Sequence, residues 1–211
     1  MLITITGPTG SGKTTLARAL LGLGISIVPT WTTRHLRGDE AGRSETTHVP
    51  AHAMRPTDML ELVTYAGYEY GTPASETVIK ALRGECHAVK ILEPKGLSAL
   101  RDNAMSSAFT DQYLLGQPPA LAHVFITAKP ETLQRRLMSR CGYTPSPKDL
   151  YRMSCALEEA RTWPGLQAWS HVIDNSEDRD DLQGHAEQLL ASLSIPTTTP
   201  CRVHSNAEEA M

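Results

Sequence analysis

The stretch GPTGSGKTT, residues 7–15, constrains the fold of this chain more than any other feature. It follows the short apolar run LITIT and precedes LARALLGLG, in which Leu16, Leu20 and Leu23 recur at helical spacing. A strand, a glycine-rich turn and a helix in this order direct backbone N–H groups and the positive end of the helix at one anion. The sequence therefore predicts a phosphate-binding loop between a buried strand and the first helix.

Within this stretch, the pattern GxxxxGK[ST] is typical of the P-loop that binds a nucleoside triphosphate. We expect Lys13 to contact the β- and γ-phosphates of ATP, and Thr14 to bind Mg²⁺ through its hydroxyl group. The whole loop is predicted to bind ATP: Gly7, Pro8, Thr9, Gly10, Ser11, Gly12, Lys13, Thr14 and Thr15. Because motors, switches and kinases share this loop, it leaves the second substrate open.

Strand-like and helix-like segments alternate along the rest of the chain. Strands are predicted at 25–30, 87–92, 122–128 and 171–175. Helices are predicted at 58–65, 76–83, 95–103, 130–140, 150–163 and 178–193, and a surface loop at 104–121. This alternation predicts an α/β fold with a parallel sheet flanked by helices, and with ligands at the carboxyl ends of the strands.

Composition excludes several classes of function. The formal net charge of −3 provides no overall basic field, so we expect no nucleic-acid polymer as a partner. The scattered cysteines indicate neither a disulfide framework nor a zinc site. The longest nearly apolar stretch, residues 19–28, is far shorter than the ~20 residues of a membrane-spanning helix. We therefore expect a soluble cytoplasmic protein that binds small molecules, of open oligomeric state.

Two further segments bear on the second substrate. In TTRHLRGDE, residues 32–40, Arg34 and Arg37 can converge on one anion, although a solvated basic loop would look the same. Glu61 precedes YEYGTP, residues 68–73. A carboxylate offers two adjacent acceptors that match the N1–H and N2–H donors of guanine, whereas adenine has an acceptor at N1. Taken alone, Glu61 could also be an ordinary exposed glutamate.

In this order and at this spacing, these segments resemble the GMP-binding part of guanylate kinases. The resemblance covers roughly residues 2–193. It implies that Arg34, Arg37 and Tyr70 hold the acceptor phosphate. It also implies a base pocket formed by Thr30, Glu61, Gly71, Thr72 and Glu93.

The resemblance extends to a lid and to a late strand. RRLMSR, residues 135–140, and the loop after it resemble the lid of the family, which implies that Arg136, Arg140 and Arg152 surround the migrating γ-phosphoryl group together with Lys13. Arg34 completes the predicted catalytic residues by positioning the acceptor. VIDN resembles a strand that ends in an asparagine near adenine, here Asn175. The P-loop NTPase fold is then a single domain, 1–195, before a disordered tail, 196–211. Its parts would be a core (1–30, 85–135 and 150–195), a nucleoside monophosphate-binding insertion (31–84) and a lid (136–149).

Some positions depart from the pattern of the family. Ile91 and Glu93 replace a pair of aspartates, Thr46 replaces a tyrosine that helps to hold the acceptor phosphate, and Thr30 replaces a serine. We therefore expect base selection or metal ordering to differ. The sequence predicts a kinase that transfers the ATP γ-phosphoryl group to GMP or dGMP. The alternatives are a kinase of another or modified (deoxy)nucleoside monophosphate, a kinase of a phosphorylated sugar, and a non-catalytic guanylate kinase-like binding module.

Overall fold

A parallel sheet of five strands forms the central layer of the protein. The computed structural model describes residues 1–36, 45–65, 67–141, 145–177 and 182–196. In sheet order the strands are β2 (Ser26–Ile27), β7 (Ala88–Ile91), β1 (Leu2–Thr6), β8 (Leu121–Thr127) and β9 (His171–Asp174). All neighbouring pairs are parallel. Every residue of β1 is buried, as expected for a strand that is covered on both faces.

Helices cover the two faces of this sheet. Ile3 and Ile5 point to one face, where they pack with α1 (Lys13–Gly22) and α7 (Leu182–Ser192). Leu2 points to the other face, as the alternation along a strand requires. There it packs with α2 (Glu76–Leu82), α3 (Pro94–Ala104) and α4 (Ser107–Tyr113). The α/β fold predicted from the sequence is therefore confirmed.

Two further helices pack together beside the glycine-rich loop. Leu137 of α5 (Pro130–Cys141) packs against Met153 and Ala156 of α6 (Pro147–Thr162). A capping box begins α6: the Ser146 hydroxyl accepts a hydrogen bond from the Asp149 amide, and the Asp149 carboxylate accepts one from the Ser146 amide. The predicted lid thus includes the end of α5 and the start of α6, while residues 142–144 lie outside the described residues.

A second sheet of four strands branches off after β2. Its strands are, in order, β4 (Thr46–His48), β3 (Thr30–Thr32), β6 (Tyr68–Pro73) and β5 (Met59–Tyr65). The β3–β4 pair is parallel and the other two pairs are antiparallel. Helix α3 supports this sheet, because the Asn103 side chain donates a hydrogen bond to the Leu60 carbonyl at 3.0 Å. Apart from Thr30, the sheet lies within the segment predicted as an insertion.

Three sequence-based predictions were wrong in part. Within the predicted helix 58–65, residues 59–65 form the strand β5 instead. Met59, Leu62 and Val63 mimic helical spacing, but pairing with β6 across the turn at Gly67 (φ +80°) prevails. The predicted strand 25–30 is divided between the two sheets. The predicted loop 104–121 contains α4, where Ser106 caps the helix and Phe109 is buried.

The other predicted strands and helices are confirmed to within a few residues. The predicted disordered tail lies outside the described residues, apart from Pro196. None of the helices in the described ranges has the length and apolarity needed to cross a membrane.

Candidate functional site

The glycine-rich loop connects β1 to α1, the context that its sequence predicted. A Cβ atom added to Gly7 would lie 2.0 Å from the Ile126 carbonyl oxygen. Gly12 has a φ of +109°, and an added Cβ would lie 2.6 Å from Asn175 Nδ2. Both positions therefore require glycine, Gly7 for close approach and Gly12 also for its left-handed backbone. The loop consequently passes close to the end of β8 and to the residue that follows β9.

Lys13 folds back over this loop. Its Nζ atom donates to the carbonyl oxygens of Gly7 at 2.7 Å and Pro8 at 3.0 Å. Burial lowers the pKa of Lys13 to about 8, the carboxylates of Glu159 and Glu93 oppose that shift, and the Arg140 guanidinium adds to it. Arg140 and both carboxylates are thus close enough to Lys13 to affect its charge.

Asn175 and Ser11 hold the loop from the side of β9. The buried Asn175 side chain donates from Nδ2 to the Ser11 carbonyl oxygen at 2.7 Å. Asn175, predicted near adenine, therefore directs its amide at the loop backbone. The Ser11 Oγ atom is buried and has no hydrogen-bond partner in the part of the chain that the structure describes. A loop that requires glycine at two positions and carries a buried hydroxyl group without a partner fits a phosphate group.

Helix α6 reaches the same loop through Glu159. Its Oε2 atom accepts hydrogen bonds from the Thr9 amide at 2.9 Å and from the Thr9 hydroxyl at 3.3 Å. Sequence analysis missed this contact, because the two residues are 150 positions apart and no local pattern joins them. Glu159 therefore brings a negative charge to an amide of the predicted phosphate site.

A cavity of about 650 Å³ separates α6 from the start of α3. Its walls include Glu93, Lys95, Cys155, Glu159, Trp163 and Leu166. Glu93 lies two residues beyond the end of β7, and its side chain is exposed. Partial desolvation and then the neighbouring Glu159 carboxylate raise the pKa of Glu93. The Glu93 and Glu159 carboxylates thus line this cavity, and both favour the charged form of Lys13.

The predicted arginines are placed differently from one another. Arg140 is exposed near Lys13, whereas Arg136 donates from Nη2 to the Glu177 carbonyl oxygen at 3.4 Å, beyond β9. Arg152 is exposed on α6. Arg34 donates from Nη1 to the His35 carbonyl oxygen at 2.9 Å, and Arg37 lies outside the described residues. The predicted pair on the acceptor phosphate therefore stays a prediction.

The second sheet carries a row of polar side chains. Glu61 and Thr72 are opposite each other on β5 and β6, and the Thr72 hydroxyl donates to Glu61 Oε2 at 2.8 Å. Trp31 is opposite Gly71, so the same register places Thr30 beside Thr72. Thr46 in turn pairs with Thr30. We call these four residues the polar row: Thr46, Thr30, Thr72 and Glu61.

Two other predicted residues flank the polar row. Gly71 is buried, and a Cβ atom added there would lie 2.9 Å from the Glu61 carbonyl oxygen. Tyr70 is two residues from Thr72 along β6 and therefore points to the same face of the sheet. The structure thus brings Thr30, Glu61, Tyr70 and Thr72 together on one face.

Lys90 of β7 reaches this row from the central sheet. It is fully buried, and its Nζ atom donates to the Pro29 carbonyl and to the Thr30 hydroxyl, both at 2.9 Å. Burial lowers the pKa of Lys90 to about 7, and the Glu61 carboxylate opposes that shift. Sequence analysis missed Lys90, although a charge inside the apolar strand HAVKIL signals a buried residue that needs a partner.

Glu61 is also buried, with an exposed fraction of 4%. Burial raises its pKa, while Lys90 and the Thr72 hydroxyl lower it and Glu93 raises it further. Glu61 Oε1 lies against Gly96, in the first turn of α3, where a Cβ atom would be 2.9 Å away. The positive end of that helix favours the carboxylate. Since Glu93 influences both Glu61 and Lys13, it is close to the polar row and to the loop.

Oxygen ligands for Mg²⁺ are available beside the loop. In the described ranges, no group of three or more His, Cys, Asp or Glu side chains could hold a metal ion. Mg²⁺ bound with nucleotides takes one or two protein ligands and completes its shell with phosphate oxygens and water. The exposed Thr14 hydroxyl at the start of α1 and the Glu93 carboxylate after β7 fit that requirement.

The fold is shared with a solved guanylate kinase. No family model matches this chain, and no curated protein matches it in sequence. The guanylate kinase from Anaplasma phagocytophilum is similar in structure with a TM-score of 0.60 and 17% identity, covering 96% of this chain and 88% of that one.

Two other structures are similar at lower scores. A sugar kinase from Janibacter sp. has a TM-score of 0.41 and 16% identity, covering 93% of this chain and 95% of that one. An uncharacterized protein from Eubacterium ventriosum has a TM-score of 0.45 and 14% identity, covering 92% and 98%.

Proposed function

We propose that this protein is a nucleoside monophosphate kinase that transfers the γ-phosphoryl group of ATP to GMP or dGMP. The observation that carries the proposal is the contact between Glu61 and Thr72, aligned with Thr30 in the polar row and close to an intact P-loop. The fold in common with a guanylate kinase supports it.

In this proposal the P-loop binds ATP. The amides of residues 7–15 surround the phosphates, the Ser11 hydroxyl gains the partner that it lacks, and Lys13 contacts the β- and γ-phosphates. Thr14 and Glu93 would hold Mg²⁺, which when bound neutralises the phosphate oxygens. Asn175 keeps the loop in place through its bond to Ser11. Thr9 becomes available to a phosphate once Glu159 releases its amide.

The polar row selects the base of the acceptor. Glu61 accepts hydrogen bonds from N1–H and N2–H of guanine, and Thr72 holds the carboxylate in position. Adenine offers an acceptor at N1, which would leave Glu61 unpaired in a buried site. Such a loss is costly and gives strong discrimination.

Transfer itself then depends on alignment and charge. The acceptor phosphate oxygen is already ionised, so no protein group has to remove a proton from it. Arg34, Arg37 and Tyr70 position it in line with the γ-phosphoryl group, and Lys13 and Arg140 neutralise the charge that develops. Arg136 and Arg152 join them when the segment 136–149 closes and excludes water.

An assay of ADP release tests this proposal across GMP, dGMP, AMP, CMP, UMP, dTMP and sugar phosphates. We expect GMP and dGMP to be used with a kcat/KM at least about 100-fold above that of the other nucleotides. Turnover of a sugar phosphate with every nucleotide inert would refute the proposal.

Glu61→Gln tests the base contact in the same assay. The amide cannot accept from both donors of guanine, so kcat/KM for GMP should fall roughly 100-fold while the KM for ATP is unchanged. Glu187→Gln, a change on the exposed face of α7, is the matched control and should behave as the wild type does. Equal effects of the two substitutions would contradict the assignment.

A kinase of a phosphorylated sugar is the second candidate. The observation in its favour is the pair of carboxylates, Glu93 and Glu159, beside Lys13 and the cavity of about 650 Å³. A sugar hydroxyl must lose its proton during transfer, and either carboxylate could accept it. The same panel of acceptors separates the two candidates.

A further inference from the structure

We propose that Lys90 is a positioning residue that sets the hydrogen-bond polarity of the polar row, so that Thr30 donates to a 6-oxo group on the acceptor base. This inference rests on the proposed function and adds to it a residue that the resemblance to guanylate kinases does not assign to the site.

The charged form of Lys90 fixes the direction of its bond with Thr30. A lysine ammonium group has three donors and no acceptor, so Thr30 Oγ1 must accept the bond of 2.9 Å. The Thr30 hydroxyl hydrogen then has to point elsewhere. No acceptor for it is found among the described residues, and the side chain is only half-buried. Thr30 is therefore left as a donor toward the space in front of the polar row.

At the other end of the polar row, Thr72 and Glu61 are hydrogen-bond acceptors. The Thr72 hydroxyl hydrogen is used in its bond to Glu61, so Thr72 Oγ1 and the Glu61 carboxylate remain acceptors. From Thr30 toward Glu61, the polar row thus presents the Thr30 hydroxyl as a hydrogen-bond donor, followed by the acceptor atoms of Thr72 and Glu61. A 6-oxopurine with N1–H and a 2-amino group has the complementary order. Adenine reverses it at the first two positions, with an amino group at C6 and an acceptor at N1.

The position of Lys90 keeps its ammonium group directed at Thr30, so that the Thr30 hydroxyl stays a donor to the acceptor base. Its second bond, to the Pro29 carbonyl, fixes the ammonium group where the chain crosses from β2 to β3. The Glu61 carboxylate favours the charged form of this buried lysine. With methionine at position 90, the Thr30 hydroxyl could rotate and either donate or accept.

The experiment compares GMP with 6-thio-GMP as acceptors. The thio analogue keeps N1–H and the 2-amino group but has a weak acceptor at C6. Measurements at about pH 6, below the pKa of about 7 of Lys90, keep the ammonium charged. We expect wild-type protein to prefer GMP by about tenfold in kcat/KM, through KM. In Lys90→Met this preference should fall to about twofold or less, although the loss of a charge beside Glu61 lowers activity toward both acceptors.

Two further variants keep the inference falsifiable. Thr30→Val should lose the preference for GMP to the same extent, and adding Lys90→Met to it should cause no further change. Lys80→Met replaces an exposed lysine of α2 and should keep the full preference. If Lys90→Met does not fold, Lys90→Gln takes its place, because an amide can either donate to Thr30 or accept from it and should therefore lower the preference as well.

The possible outcomes are distinguishable. A lysine with a merely structural role would lower activity toward GMP and 6-thio-GMP equally, and an unchanged preference in Lys90→Met or Thr30→Val would overturn the inference while leaving the kinase proposal intact. Wild-type protein that is inert toward every mononucleotide would overturn the proposed function, and this inference with it.

Discussion

Lys13 lies in a buried position that disfavours its positive charge, although the proposed contact with phosphate requires that charge. Burial lowers its pKa from 10.5 to about 8, so the folded protein releases this proton more readily than the unfolded chain. Between these two values the unfolded chain binds more protons. Stability from this residue therefore increases as pH rises through that window.

This linkage predicts a pH-dependent difference between wild-type protein and Lys13→Met. The free energy of unfolding of the wild type, minus that of the variant, should increase from about pH 7.5 to about pH 10 by on the order of 1 kcal/mol. Urea unfolding without nucleotide at several pH values measures it. A difference that stays flat or decreases would show that Lys13 is not desolvated.

At the scale of residues, the sequence identified the candidate site only where local motifs exist. Glu61 and Thr72 were recognised from the segment around YEYGTP, and the structure brings them into contact. Lys90 was visible as a charge in an apolar strand, but its partners on β3 depend on how two sheets meet. Glu159 was not visible at all, because its contact with Thr9 depends on the packing of α6.

At the scale of elements, α6 controls one amide of the P-loop. Glu159 occupies the Thr9 N–H at 2.9 Å, and its charge would repel an incoming phosphate. Glu159→Ala should therefore bind ATP about three- to tenfold more tightly. Isothermal titration calorimetry measures the Kd.

The neighbouring Glu158 provides the control for this prediction. It is exposed and pairs with Arg161 instead of the loop, so Glu158→Ala should bind ATP as the wild type does. Weaker ATP binding by Glu159→Ala would mean that the carboxylate supports the loop and does not compete with the nucleotide.

Elements with a strong local signal were predicted well. The strand before the P-loop, β1, and the strand predicted at 122–128, β8, are short, apolar and bounded by turns, and both occur as expected. β5 was predicted as a helix because its apolar spacing is ambiguous over seven residues. Only its pairing with β6 resolves that ambiguity, and such pairing is not a local property of the sequence.

At the scale of the whole molecule, two sheets carry the two halves of the candidate site. The central sheet presents the P-loop, and the second sheet presents the polar row. Lys90 joins them through Pro29 and Thr30, and Arg18 of α1 forms an ion pair of 2.6 Å with Glu45, just before β4. The alternation of strands and helices predicted the central layer, but no local pattern specifies the order of its strands.

In the proposed mechanism, ATP and a guanine nucleotide bind end to end across these two sheets. Adenosine and guanosine joined through their 5′ oxygens by a chain of five phosphates would fill both halves at once. Calorimetric titration should give one molecule per chain, with a Kd below that of ATP or GMP alone, and binding should weaken in both Lys13→Ala and Glu61→Gln. Binding no tighter than that of ATP, and unchanged in Glu61→Gln, would show that the two nucleotides do not bind in this way.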